Sequence, residues 1–198
     1  MTKRFGRVVL LSIAILGIAG VAHATGSSGS SGSGGPQFTA KLSGAQEVPE
    51  VTTTTAGSLE LKFDAAFTQA RFILKVSDGL DVTAAHLHCH RAGENGPPVA
   101  FLYGEGPTID VDGRLASGTL TNEDLEDADC LSSVDRSITN LAALAFAAKE
   151  GLIYVNVHTE ANPSGESRGQ LVAADGDDGH CDDDDDDDDD DGGRGRRR

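Results

Sequence analysis

Residues 57–78, GSLELKFDAAFTQARFILKVSD, place apolar side chains at alternate positions twice over. Leu59, Leu61 and Phe63 alternate with Ser58, Glu60 and Lys62, and Phe72, Leu74 and Val76 then repeat the spacing. Successive side chains of an extended chain point to opposite faces, so each run offers one face to a core and one to water. QFTAKL (37–42), VTAAHLHCH (82–90), PVAFLY (98–103), GRLASGTLT (113–121), LIYVNVHT (152–159) and RGQLVA (168–173) continue the series. Asp78-Gly79, Asp112-Gly113, Asn162-Pro163 and Ser164-Gly165 supply turn chemistry between them. The pattern suggests an antiparallel sandwich or barrel, and the expectation taken from it is an all-β fold, an antiparallel β-sandwich. One segment breaks the period: SITNLAALAFAAKEG (137–151) is rich in helix formers and predicts a single short helix. Thr139 or Asn140 would cap its start, and Gly151 would end it.

Working outward, the flanks differ in composition from this core. Lys3, Arg4 and Arg7 precede an apolar run from Val8 to Val21 and then Ala22-His23-Ala24. That is the pattern of a signal peptide, assigned to residues 1–24, with an apolar stretch too short for a membrane anchor. Residues 25–35 form a Gly/Ser linker. Residues 36–174 are the expected domain. Residues 175–198 carry Asp182–Asp191, ten consecutive aspartates, and end in arginines, a composition that predicts disorder. The implied location is exported, periplasmic or extracellular, and the expected state is a monomer. A net charge of −16 argues against nucleic acid as a partner. It leaves a protein or polysaccharide partner of unspecified identity, and weak calcium binding by the aspartate run.

The three cysteines are Cys89, Cys130 and Cys181. An exported chain meets an oxidising compartment, so Cys89 and Cys130, both inside the domain, are expected to pair, leaving Cys181 in the tail. No nucleophile–base order, phosphate loop or paired-carboxylate pattern stands out, so no catalytic residue is assigned and the chain is read as no enzyme. His86, His88 and His90 occupy alternate positions and share one face of a strand, with His90 at the strand's end the weakest ligand candidate. Asn95, Gly96 and Pro97 read as a tight turn in which Asn and Gly take positive φ.

Three stretches taken together resemble the CHRD domain, named from chordin and found in many exported bacterial proteins. They are LSGAQEVPEVTTTTAGSLEL (42–61), VTAAHLHCHRAGENGPPVAFLY (82–103) and YVNVHTEANPSGESRGQL (154–171). The resemblance implies an immunoglobulin-like or superoxide-dismutase-like extracellular β domain acting as a binding or structural module, not an enzyme. It also sets the strand holding His86 and His88 beside the strand holding His158. Those three imidazoles then form a candidate copper or zinc site, with bracing of the neighbouring loops as the competing reading. The same resemblance marks GESRGQ as a signature. Asn162, Pro163, Glu166 and Arg168 are expected to fix the turn before the last strand, through an ion pair or a carboxylate-to-backbone bond. The acidic stretch NEDLEDADCLSSVDRS (122–137) departs from the family pattern and receives no role.

Overall fold

The computed structural model describes residues 34–174, apart from Glu105 and Asp127. Residues 1–24, read as a signal peptide, most of the 25–35 stretch, and residues 175–198 with Cys181 lie outside the described residues. Eight strands are formed: β1 (Gln37–Ser43), β2 (Ala56–Phe63), β3 (Ala70–Cys89), β4 (Pro98–Tyr103), β5 (Ile109–Leu120), β6 (Ile153–Thr159), β7 (Ser167–Gln170) and β8 (Val172–Ala173). All their pairings are antiparallel. The all-β, antiparallel expectation therefore holds.

The layering differs from a sandwich of two facing sheets. The strands belong to one sheet in the order β2-β1-β7-β6-β3-β4, and β2 also pairs with β3, which closes the path into a small barrel. The physical reason is the length of β3. Its first half, Ala70–Ser77, pairs with β2, and its second half, Val82–Cys89, pairs with β6. Asp78-Gly79 lies inside this 20-residue strand and not between two strands. Asp78 and Asp81 take positive φ (51° and 47°) there, and the register with β5 shifts on both sides of Gly79. Such a jog bends and twists a strand without ending it. Asp112-Gly113 likewise falls inside β5.

The alternating residues meet in one core. Phe38, Leu59, Leu61, Phe63, Leu74, Leu87, Val155 and Val157 are all essentially inaccessible to solvent. The helix α2 spans Leu141–Lys149 and buries Leu141, Leu144, Ala145 and Ala148. Asn140 caps it by accepting from the Ala143 amide at 2.9 Å, and Gly151 follows with φ 70°. A second helix, α1 (Cys130–Val134), lies in the acidic stretch, so the described residues hold two α-helices and not the single one expected; Asp129 caps α1 by accepting from the Ser132 amide. Cys130 opens α1 and is bonded to Cys89 at the end of β3, as expected. No helix among the described residues is long and apolar enough to cross a membrane.

Candidate metal centre

Strand β6 is buried at every position, which a one-sided strand would not be. Its Ile153, Val155 and Val157 face the core, while Tyr154, Asn156 and His158 share the opposite face. On β3, Leu87 pairs with Val155, His86 with Asn156 and His88 with Tyr154. Paired residues lie on the same side of a sheet, so His86, His88, Tyr154, Asn156 and His158 gather on one patch. Strand β7 extends the patch by setting Arg168 opposite Asn156 and Gln170 opposite Tyr154.

The three histidines singled out from the sequence converge. Their candidate ligand atoms all lie within 4.8 Å of one another. Nδ1 of His88 lies 2.8 Å from the Gly96 carbonyl, and Nδ1 of His158 lies 2.9 Å from the Pro163 carbonyl. A carbonyl only accepts, so both Nδ1 atoms carry the proton and both Nε2 atoms carry a lone pair. His86 closes the set with its Nδ1 3.1 Å from Nε2 of His158, so it donates there. Nε2 of His88 is buried and has no partner. His90 is not part of the cluster; its ring faces Glu94 at 3.2 Å.

The surroundings keep these rings neutral. Burial, with the neighbouring His158 and His88, pushes His86 down to about 4. Burial pushes His88 down to about 4 as well, against the opposing bond to Gly96. His158 is lowered for the same reason, its bond to Pro163 opposing. Phe101 stands edge-on to His86 with ring centroids 4.4 Å apart and is itself 49% exposed, forming the outer wall.

The loop residues hold the site in place. The positive φ expected at Asn95 or Gly96 falls on Gly93 (82°) instead. What Gly96 provides is close approach: a Cβ there would come 2.0 Å from the Cys89 carbonyl oxygen. Asn95 reaches across to the Val48 carbonyl at 2.6 Å, tying this loop to residues 44–55. Glu166 and Arg168 do not pair with each other. Glu166 accepts from Thr159 Oγ1 at 2.9 Å and from the Asn162 side-chain amide, which fixes the Asn162-Pro163 turn and hence the carbonyl that orients His158. Burial raises the Glu166 carboxyl, but bonds from Thr53, Asn162, Thr159 and Thr55 outweigh it and hold the group below the usual range. Arg168, 1% exposed, donates to Asn95 Oδ1 at 3.2 Å and to the Arg91 carbonyl at 2.9 Å.

Two residues had no role assigned from the sequence. Asn156 is 3% exposed, with Oδ1 unpartnered. Glu47 is 6% exposed, with Oε1 unpartnered. The signal available for Asn156 was its alternate spacing with His158 in IYVNVHT, which puts the two on one face. Glu47 carried no such signal, because its burial depends on a loop folding over Gly165.

The fold is a small closed antiparallel β barrel that carries a cluster of three convergent histidines on the outer face of its sheet. The CHRD domain family profile matches residues 38–171, and the chain belongs to that family. No curated protein matches it. No solved structure matches it either.

Proposed function

We propose that this CHRD domain is an exported, non-enzymatic binding module whose ligand is a copper(II) or zinc ion held by His86, His88 and His158. The observation that carries this reading is the buried, unpartnered Nε2 of His88, beside two more imidazoles that are neutral and convergent. Burying a lone pair without a donor is unfavourable, and a cation removes the cost. Neutral imidazole suits both ions. Bracing alone is the other reading, supported by the Nδ1 bonds to Gly96 and Pro163. Yet bracing uses one nitrogen per ring, whereas metal-bound histidines characteristically donate their second N–H to a backbone carbonyl in this way. The same two bonds therefore serve a metal site.

Holding an ion requires His86 to give up the proton shared with His158 Nε2. A neutral imidazole does so by carrying its proton on the other nitrogen. One cluster of this kind is present among the described residues, which supports a single-ion module and not a two-metal dismutase. The Cys89–Cys130 bond and the reading of residues 1–24 as a leader support an exported location. Further partners of the proposal are a protein or a polysaccharide, with the aspartate run adding weak calcium affinity.

Thermal melting tests the proposal. Zinc in excess should raise the Tm of the full chain, since an ion bound at 100 times its Kd stabilises by about 2.7 kcal/mol. The His86→Ala/His88→Ala variant keeps the aspartate run and should show no such rise. Equal shifts in both proteins would contradict the assignment.

A further inference from the structure

Asn156 occupies the middle of β6 and is 3% exposed. An amide there is costly unless its polar atoms are used, and its Oδ1 has no donor. The residues across the sheet do not supply one. On the β7 side lies Arg168, whose recorded bonds go to Asn95 Oδ1 and the Arg91 carbonyl and not to Asn156. On the β3 side lie His86, its register partner, and His88. His88 shares this face with Asn156, one register step along β3 from His86. In the neutral His88 ring, whose proton is held on Nδ1 by Gly96, Nε2 is an acceptor too. One face of the sheet thus carries two buried acceptors, Asn156 Oδ1 and His88 Nε2, each without a donor and neither open to water.

We infer that Asn156 supplies the fourth donor of the site, its amide oxygen joining His86, His88 and His158 in a three-nitrogen, one-oxygen cage for a divalent ion. The inference rests on the metal-binding reading above. A divalent ion accepts both lone pairs at once. It would bond each donor at about 2.0–2.2 Å. Four donors complete the tetrahedral set zinc prefers. The set has no thiolate or thioether, so it favours zinc and copper(II) over copper(I).

The test is zinc affinity of the full chain, read by competition with a chromophoric chelator, for the wild type, Asn156→Leu, Asn156→Asp and His86→Ala/His88→Ala. The double-alanine protein gives the background from the acidic tail. Asn156→Leu should weaken zinc binding by about tenfold or more. Asn156→Asp should tighten it by a similar factor, because it puts a charged oxygen on a dication. Copper(II) EPR of the Asp variant should change in step, reporting a new oxygen donor. If Asn156→Asp weakens binding as Asn156→Leu does, the amide acts as a donor to His88 and the inference is wrong. If neither change moves the affinity while the wild type binds above background, the inference fails and the metal reading stands. Wild-type binding at background removes both. Should Asn156→Leu fail to fold, the Asp variant decides alone, by the direction of its change.

Discussion

The guanidinium of Arg168 lies over the ring of Tyr154, 3.5 Å from its centroid. His88 is stacked on the same ring, with centroids 4.9 Å apart and planes 12° from parallel. Tyr154 in turn bonds Gly96, whose amide reaches the phenol oxygen at 3.1 Å and whose carbonyl orients His88. A buried cation with no ion pair to any described carboxylate is thus held by an aromatic face and two oxygen acceptors, and it backs the ring that positions a candidate ligand.

Replacing Arg168 with lysine keeps the charge but loses the planar face and the fork of donors. Arg168→Lys should therefore destabilise the domain by about 2 kcal/mol, from lost stacking and one or two charge-assisted bonds. Urea unfolding measures this. An unchanged midpoint would mean that Arg168 is held by its surroundings and does not hold them.

Gly165 has φ 140°, and a Cβ placed on it would lie 2.5 Å from Glu47 Oε1. Both the backbone and the buried carboxyl oppose any side chain there. Gly165→Ala should cost about 1–3 kcal/mol. Paired with Glu47→Ala, which clears the space, it should cost less than the sum of the two single changes, as expected for residues in contact.

Burial pushes the Glu47 carboxyl up to about 7, against the pull of Arg168 and the Val48 amide, with Glu166 adding a smaller push. The native state therefore holds a proton that the unfolded chain, near 4.5, has released. Stability tied to this group is fully present below pH 4.5 and is lost as pH rises to about 7. It amounts to at most about 3 kcal/mol. His86 and His88 act in the opposite sense, since their folded values near 4 lie below the ordinary 6.5. The difference between wild type and Glu47→Gln isolates the carboxyl. The variant should gain on the wild type steadily between pH 4.5 and 7, measured by chemical denaturation. A constant difference across that window would rule out the buried, protonated carboxyl.

Alternation made most strands legible, because the core face of QFTAKL and GSLELKF is written in the period-two pattern. The helix over 141–149 was legible for the same reason in another period, and its cap at Asn140 fell where side-chain chemistry required it. Alternation left sandwich and barrel both open and did not decide the closure. Asp78-Gly79 has turn composition, and only long-range pairing with β2, β5 and β6 turns it into a jog within one strand. The histidine cluster was half legible. Alternate spacing put His86 and His88 on one face, but the neighbourhood of His158 came from family resemblance and not from spacing. For Glu166 and Arg168 the sequence left an ion pair and a carboxylate-to-backbone bond open; Glu166 instead bonds the Thr159 and Asn162 side chains, and Arg168 bonds the 91–95 loop.

The bonds to Gly96 and Pro163 fix His88 and His158 with protons on Nδ1, and burial disfavours charging any of the three rings. Nitrogen-15 chemical shifts should show both in that tautomer at pH 7. They should also show His86 and His88 still neutral at pH 5.5, where ordinary histidines are largely charged. Titration near 6.5 would contradict the buried cluster.

The most direct measurement is calorimetric titration of the full chain with zinc and with copper(II), beside the His86→Ala/His88→Ala variant. The expected result is one tight site per chain, present in the wild type and missing from the variant, above a weak background common to both. Identical isotherms for the two proteins would show that His86, His88 and His158 brace their loops and hold no ion.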